Sequence, residues 1–554
     1  MTLASGFGGP DWIVLAVYFA ILAGTGWVFS LRKPATDKEY FLGERNSPVW
    51  AVAISILATA LSAATFVGAP MESYGGDLTY ISTSIGPIIA AIIIAFFFIP
   101  VYYRYNVTTV YELLERRFGP GARTAASWTF MIGRVFASGA RVYIAAIPLT
   151  MILYSDITAD RGAMLVAIAI IMTAGTLYTL VGGMRSIIWT DVVQTVVFVG
   201  AAVVSVIVLW NIIDKPFGVV LEALRTPVPG DAAAASKLTV ITTGLESSRP
   251  WLGFNPSQSY TFFTALTGFM LLNLAALGTD QDLAQRMLSC KTPAKGAQSV
   301  VISQLITVPV VMVFLVIGLL LFIVNKRPDL VTPPSYTIAP GTQVFPQFIL
   351  ERMPSGLKGL MMAGLFAAAL TTILSALNAM SAAFVTDFYR KVRPARTDKH
   401  YLLVSRAAVI GWGMIVACFA AICVFWHEGS GETLIQFALK VMIFAYAGLV
   451  GVYFCAIFTK QGSTSSVIAA LITGAAVVLI QEPVVWKLWT IAIPISDAVN
   501  GGEARTLADV SVAFPWRMTI AAVCAFGVCL LGKRASSGEG VKVEGRDAHR
   551  AAAT

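Results

Sequence analysis

The stretch "SILATALSAATFVGAP", Ser55 to Pro70, scatters Ser55, Thr59, Ser62 and Thr65 through an apolar segment that carries no charge. Ala58, Leu61, Ser62 and Thr65 are spaced i, i+3, i+4, i+7 and so share one helical face. A second row, Ala368, Thr371, Thr372 and Ser375 in "FAAALTTILSALNAMSAAF", has the same spacing. Two such stripes can face one another. Hydroxyls and freed backbone carbonyls are the oxygen donors that a small hard cation such as Na⁺ takes, and they avoid the cost of burying a full carboxylate. An intact helix has no spare carbonyl in mid-span. One that breaks near Ala58 to Ser62 exposes them where protein lines a cavity. Small residues and hydroxyls are also routine packing contacts between membrane helices, and either row taken singly fits that reading.

The elements that must carry these rows are membrane helices. The chain has 554 residues, 57% hydrophobic and 12% charged, against about 25% charged in soluble domains. Apolar runs long enough to cross a bilayer recur throughout, and they do not alternate as barrel strands do. The expectation is an all-α integral membrane protein of about thirteen spans, near 11–31, 50–72, 78–102, 124–152, 161–182, 187–212, 260–285, 297–325, 357–388, 402–426, 432–457, 463–482 and 515–532. The first run reads as a span rather than a cleaved signal. Six of the short loops and span ends hold the Lys and Arg, among them Arg32, Arg104, Arg185, Arg286, Lys291, Arg393 and Lys460. The opposite connections 73–77, 153–160 and 427–431 hold none. The basic side is therefore expected in the cytoplasm of a cell (inner) membrane, with the N-terminus outside and the C-terminus inside. The long connections 213–259, 326–356 and 483–514 then fall outside, where they are expected to form short surface helices. The tail 533–554 reads as polar and disordered.

Several function classes lack their residues. The net charge of +9 follows from loop cations, so no nucleic-acid partner is expected. His400, His427 and His549 are the only histidines, too few for an intramembrane catalytic centre. Cys290, Cys418, Cys423, Cys455, Cys524 and Cys529 show no ligand spacing and read as small packing residues. "GPGAR" and "VGGMR" are weak glycine clusters rather than nucleotide loops. No enzyme and no ATP-driven pump is expected.

Four stretches in order, "LSAATFVGAP", "GGMRSIIWTDVVQ", "GTDQDLAQRML" and "LTTILSALNAMSAAFVTDFYRK", resemble the sodium:solute symporter family, which includes sodium-coupled sialic acid, monocarboxylate, glucose and proline transporters. The resemblance covers roughly residues 10–480. It implies a leucine-transporter-type core of two five-helix inverted repeats, 50–212 and 260–457, each opening on a discontinuous helix. Residues 1–49 would form an extra first helix and loop, 213–259 an extracellular loop, and 458–532 two additional helices. It implies Na⁺ as the coupling ion and, residue by residue, a Na⁺ site from the carbonyls of Ala58, Leu61 and Ala368 and the hydroxyls of Thr371 and Thr372. Ser62 and Thr65 match carboxylate-binding hydroxyls of sialic acid transporters. Asp191, Thr371 and Ser375 match a second Na⁺ site, in which Leu374 stands where a hydroxyl is expected.

Charged residues within spans add candidates. Asp191 in "IWTDVVQ" needs a partner, because a carboxylate at mid-membrane costs about 2.5–3.5 kcal/mol on insertion scales. That partner is Arg185 or water, or a second Na⁺, or a coupling proton. Arg134 and Arg141, seven apart in the fourth span, fit either a counter-ion or a substrate carboxylate, with Arg141 the preferred anchor. Asp280, Gln281 and Arg286 in the "TDQxxxQR" stretch are expected to hold an inner gate rather than touch a ligand. Asn273 and Ser84 are further pocket candidates. The expected function is Na⁺-coupled symport of a small anionic solute, of monocarboxylate or sialic acid type, by a monomer in the lipid bilayer. Proton coupling through Asp191, or Na⁺-coupled symport of a neutral sugar or amino acid, are the alternatives.

Overall fold

A computed structural model describes residues 7–30, 41, 43–154, 160–181, 183–228, 236–245, 255–331, 344–427, 434–482, 494–495, 505–506 and 512–533. Among these, nine helices are long and apolar enough to cross a membrane unbroken, and two bent pairs each qualify as one span. Two shorter apolar helices, Thr464–Ile480 and Phe514–Leu530, lie where the twelfth and thirteenth runs were placed. The chain is an all-helical, multi-pass membrane protein. The connection 213–259 holds a short helix, Phe217–Arg225, and 326–356 holds another, Val344–Arg352. In 483–514 the described residues instead form a two-residue antiparallel ladder, Pro494 opposite Thr506 and Ile495 opposite Arg505. The tail from 534 onward lies outside the described residues.

Burial orders the helices. The ninth span, Leu357–Val392, has 94% of its most apolar stretch buried, against 28% for the first and 33% for the sixth and tenth. The ninth is the hub. Its alanines and glycines permit this, since small residues let membrane helices approach closely. A Cβ on Gly364 would lie 2.8 Å from that of Ala201 on the sixth span.

The hub is anchored at its start by a residue of the first span. Asp11 Oδ1 accepts from the N–H groups of Gly356 (2.7 Å) and Gly359 (2.8 Å), and Oδ2 accepts from Gly8 N (2.9 Å) and Ser355 Oγ (3.2 Å). A carboxylate at a helix N-terminus satisfies orphan donors and opposes the helix dipole. Asp11→Ala leaves the Gly359 N–H bare in a buried position and the Gly356 N–H bare in a half-buried one, at a cost of about 1–2 kcal/mol. The expected result is a lower thermal unfolding midpoint in detergent with Na⁺ affinity retained; an unchanged midpoint would show that this cap carries no stability.

Candidate functional site

The second span is broken. Val49–Ala60 and Ala63–Gly75 meet at 64°. Leu61 (φ −85°, ψ 125°) and Ser62 (φ −129°, ψ −178°) are extended between them. The first half ends with Leu61 N–H on Leu57 O at 2.8 Å. Ser62 then caps the second half, its hydroxyl accepting from Ala64 N at 3.3 Å. In an unbroken helix Ser62 N would bond to Ala58 O. The break frees that carbonyl, and Thr371 of the ninth span reaches it: Thr371 Oγ1 donates to Ala58 O at 3.2 Å and to Ala368 O at 3.1 Å. Thr372 Oγ1 donates to Ala368 O at 3.4 Å. The two hydroxyl rows therefore meet at the break. A cavity beside them is lined by Ala58, Leu61, Ala367, Ala368 and Thr371, and by Gln194, Thr195 and Phe198 of the sixth span.

The seventh span is broken in the same way. Phe262–Gly278 and Gln281–Leu288 meet at 59°, and Asp280 caps the second half by accepting from Asp282 N at 2.9 Å. The carbonyls freed here are taken up by tyrosines: Tyr102 donates to Gly278 O at 2.5 Å and Tyr111 to Thr279 O at 3.1 Å. Gln281 bonds Val110 N (2.9 Å) and Thr108 O (3.0 Å) through its amide, fixing this half-helix to the segment after the third span.

Between the two breaks lies a buried ionic cluster. Arg134 pairs with Asp280 (3.0 Å) and with Asp282. Arg286 pairs with Asp282 and, at 3.0 Å, with Asp191. The side chains of all five are 2% exposed or less. Neutral donors complete it. Ser55 Oγ donates to Asp191 Oδ2 at 2.5 Å and accepts from Arg286 Nε at 2.8 Å. Ser375 Oγ donates to Asp282 Oδ2 at 3.0 Å, and Tyr446 donates to Asp280. Six spans meet there, because only pairing and hydrogen bonding make charge tolerable at this depth.

This places the remaining candidates. Asp191 faces Arg286 and Ser55, whereas Ser375 bonds Asp282 and the Thr371 carbonyl (2.9 Å); the two make their hydrogen bonds to different partners, and Leu374 is fully buried. Arg286, counted among the loop cations from sequence, is instead buried in the cluster. Arg134 is committed to carboxylates of the protein rather than turned to a free anion. Arg141 is half-buried, and its one hydrogen-bond contact among the described residues is the Met442 sulfur at 3.6 Å. Ser62 and Thr65 are buried at the start of the second half-helix. Asn273 turns its amide back to Phe269 O of its own helix (2.9 Å), and Ser84 is half-buried where a 3-10 turn becomes the third span. Sequence reasoning missed Asp282, Gln194, Thr195 and Tyr446. Asp282 falls on a position the "TDQxxxQR" pattern leaves open; Gln194 was within the quoted "WTDVVQ" and had no role assigned.

Comparison with known proteins places the chain in a family and a fold. The chain is 27% identical over 475 residues to the sodium/sialic acid symporter SiaT of Proteus mirabilis, covering 85% of this chain and 89% of that one. It is 26% identical over 475 residues to the sodium-coupled monocarboxylate transporter 2 of Danio rerio (84% and 71%), and 27% identical over 480 residues to the human sodium/iodide cotransporter (85% and 69%). In fold it is similar to the substrate-bound, outward-open structure of a Na⁺-coupled sialic acid symporter, with TM-score 0.75, 23% identity, and coverage of 95% and 98%. It is also similar to the closed structure of Mhp1, a nucleobase-cation-symport-1 family transporter, with TM-score 0.53, 14% identity, and coverage of 91% and 95%. The profile of the sodium:solute symporter family matches residues 40–474, and the chain belongs to that family: it is a Na⁺-coupled solute symporter, with Na⁺ a transported co-substrate rather than a resident cofactor.

Proposed function

We propose that the transported solute is a small organic carboxylate, moved with one Na⁺ by alternating access. The observation that carries this is Arg141, a cation in the membrane interior whose only hydrogen-bond contact among the described residues is a thioether. A guanidinium so placed is stable when an anion arrives, and its planar fork suits a carboxylate. Ser62 and Thr65, at the start of the second half-helix, supply hydroxyls beside a helix N-terminus, which also favours an anion. Three of the relatives carry names of anion transporters, for sialic acid, monocarboxylates and iodide. The Na⁺ ligands in this reading are the carbonyls of Ala58, Leu61 and Ala368 and the hydroxyls of Thr371 and Thr372. Asp191, held by Arg286 and Ser55, supports a single Na⁺ and does not favour a proton carrier. The solute and Na⁺ bind from the outer side, the basic end of the bundle facing the cytoplasm, and leave there once the inner ends of the second, seventh and ninth spans part.

The test is uptake into proteoliposomes of a panel containing sialic acid, short monocarboxylates, glucose and proline. The expected result is Na⁺-dependent uptake of an acid. With one Na⁺ and a monoanion no net charge crosses, so an imposed membrane potential leaves the rate unchanged. A second Na⁺ would move one charge, worth about 2.3 kcal/mol per 100 mV, and uptake would then accelerate with an inside-negative potential. Uptake driven by a pH gradient without Na⁺ would return the coupling to Asp191, and Na⁺-driven uptake of glucose or proline alone would reject the carboxylate.

A further inference from the structure

The buried cluster does not balance. Two guanidinium groups, Arg134 and Arg286, face three carboxylates, Asp191, Asp280 and Asp282, which leaves one negative charge over. Asp191 Oδ1 is buried without a hydrogen-bond partner. The five oxygens proposed for Na⁺ are all carbonyls and hydroxyls and carry no formal charge to offset the ion. The cluster also grips both helices that supply those oxygens, in each case about one turn away. Ser55 precedes Ala58 by three residues and bonds Asp191. Ser375 follows Thr371 by four, about 6 Å along the helix, and bonds Asp282.

We propose that this surplus charge is the counter-charge of the transported Na⁺, and that Asp282, the carboxylate shared by both arginines and Ser375, is the positioning residue that sets Na⁺ affinity without touching the ion. The proposal rests on the Na⁺ site described above. In the empty transporter the surplus is offset across the site by Arg141, which lies within electrostatic reach of Asp280 and Asp282 and about 10 Å along the fourth span from Arg134. An anion seated on Arg141 removes that compensation, and Na⁺ restores it. Each ligand then raises the affinity for the other, as reciprocity requires. This gives a physical reason for one cation to accompany one anion.

The experiment is equilibrium binding of radioactive Na⁺ to the purified full-length protein in detergent, with no solute present. Arg134→Gln takes the cluster to a surplus of two negative charges, Asp282→Asn takes it to none, and the double variant Arg134→Gln/Asp282→Asn restores one. The expected order of Na⁺ affinity follows that charge. Arg134→Gln binds tightest, the double variant lies within about threefold of the wild type, and Asp282→Asn is weaker by about tenfold or more, the size expected of one unit charge at such a separation. If Asp282→Asn does not fold, the other three proteins still decide. Single and double variants weakened alike, or Arg134→Gln binding less tightly than the wild type, would overturn the proposal, because hydrogen bonding and shape would then govern affinity. Thr371→Val separates the two readings. Weakened binding there with no order in the charge series removes only the counter-charge, whereas unchanged binding removes the Na⁺ site and the counter-charge with it.

Discussion

Thr371→Val raises the Na⁺ concentration for half-maximal uptake by about thirtyfold. Valine keeps the shape of threonine and deletes one oxygen. Among the described residues that oxygen is the only side-chain group that hydrogen-bonds from the ninth span to the freed Ala58 carbonyl, and it also approaches Ala368 O. An interaction of a polar group with a charge contributes about 1.5–3 kcal/mol, and 2 kcal/mol corresponds to a factor of about thirty. The residue is 2% exposed, so water cannot freely substitute. Thr372→Val, whose hydroxyl lies 3.4 Å from Ala368 O, is expected to act in the same direction. Solute half-saturation measured at saturating Na⁺ stays close to the wild type in both. The check is a Na⁺ titration of initial uptake rates in proteoliposomes, and a Na⁺ curve superimposable on the wild type would reject Thr371 as a ligand.

Arg141→Gln weakens solute binding by about a hundredfold while Na⁺ binding in the absence of solute persists. Removing one member of a buried, hydrogen-bonded charge pair costs about 2–5 kcal/mol. Arg141 makes no ion pair with a described carboxylate, so its loss breaks no direct salt bridge and the fold is retained. It does leave the cluster's surplus charge without its long-range offset, so Na⁺ binding is expected to tighten rather than weaken. Arg134→Gln differs in kind, because it removes an ion-pair partner of Asp280 and Asp282 and so changes the charge of the cluster itself, with Asp282 still held by Arg286. Arg141→Lys keeps the charge and loses the fork, and partial recovery is expected. Competition by a panel of acids against the transported solute measures the loss; equal affinity for the acid in wild type and Arg141→Gln would exclude this residue as the anchor.

Both breaks have a local chemical cause, one that glycine and proline do not supply. At each, an N-cap residue in an extended conformation starts a new half-helix: Ser62 accepting from Ala64 N, and Asp280 accepting from Asp282 N. Serine and aspartate are preferred N-caps, so a start signal was present in "LSAAT" and in "TDQD". It was hard to read because an apolar span is expected to run on. The resemblance implied a discontinuous seventh span; it did not place the break at Thr279 and Asp280.

The sequence by itself determined the membrane class, the order and approximate ends of the apolar runs, and the two hydroxyl rows, because these depend on composition and on helical spacing within one segment. It also carried the family, through four stretches in order. Which charges meet was decided only by the tertiary structure. Arg134 and Arg141 look alike along the fourth span, seven residues apart, and only the position of the broken seventh span gives Asp280 and Asp282 to the first and leaves the second without a carboxylate. Asp191 likewise could not be matched to Arg286, 95 residues away, since a pairing across six packed spans is a property of their arrangement in space and leaves no periodic trace along the chain.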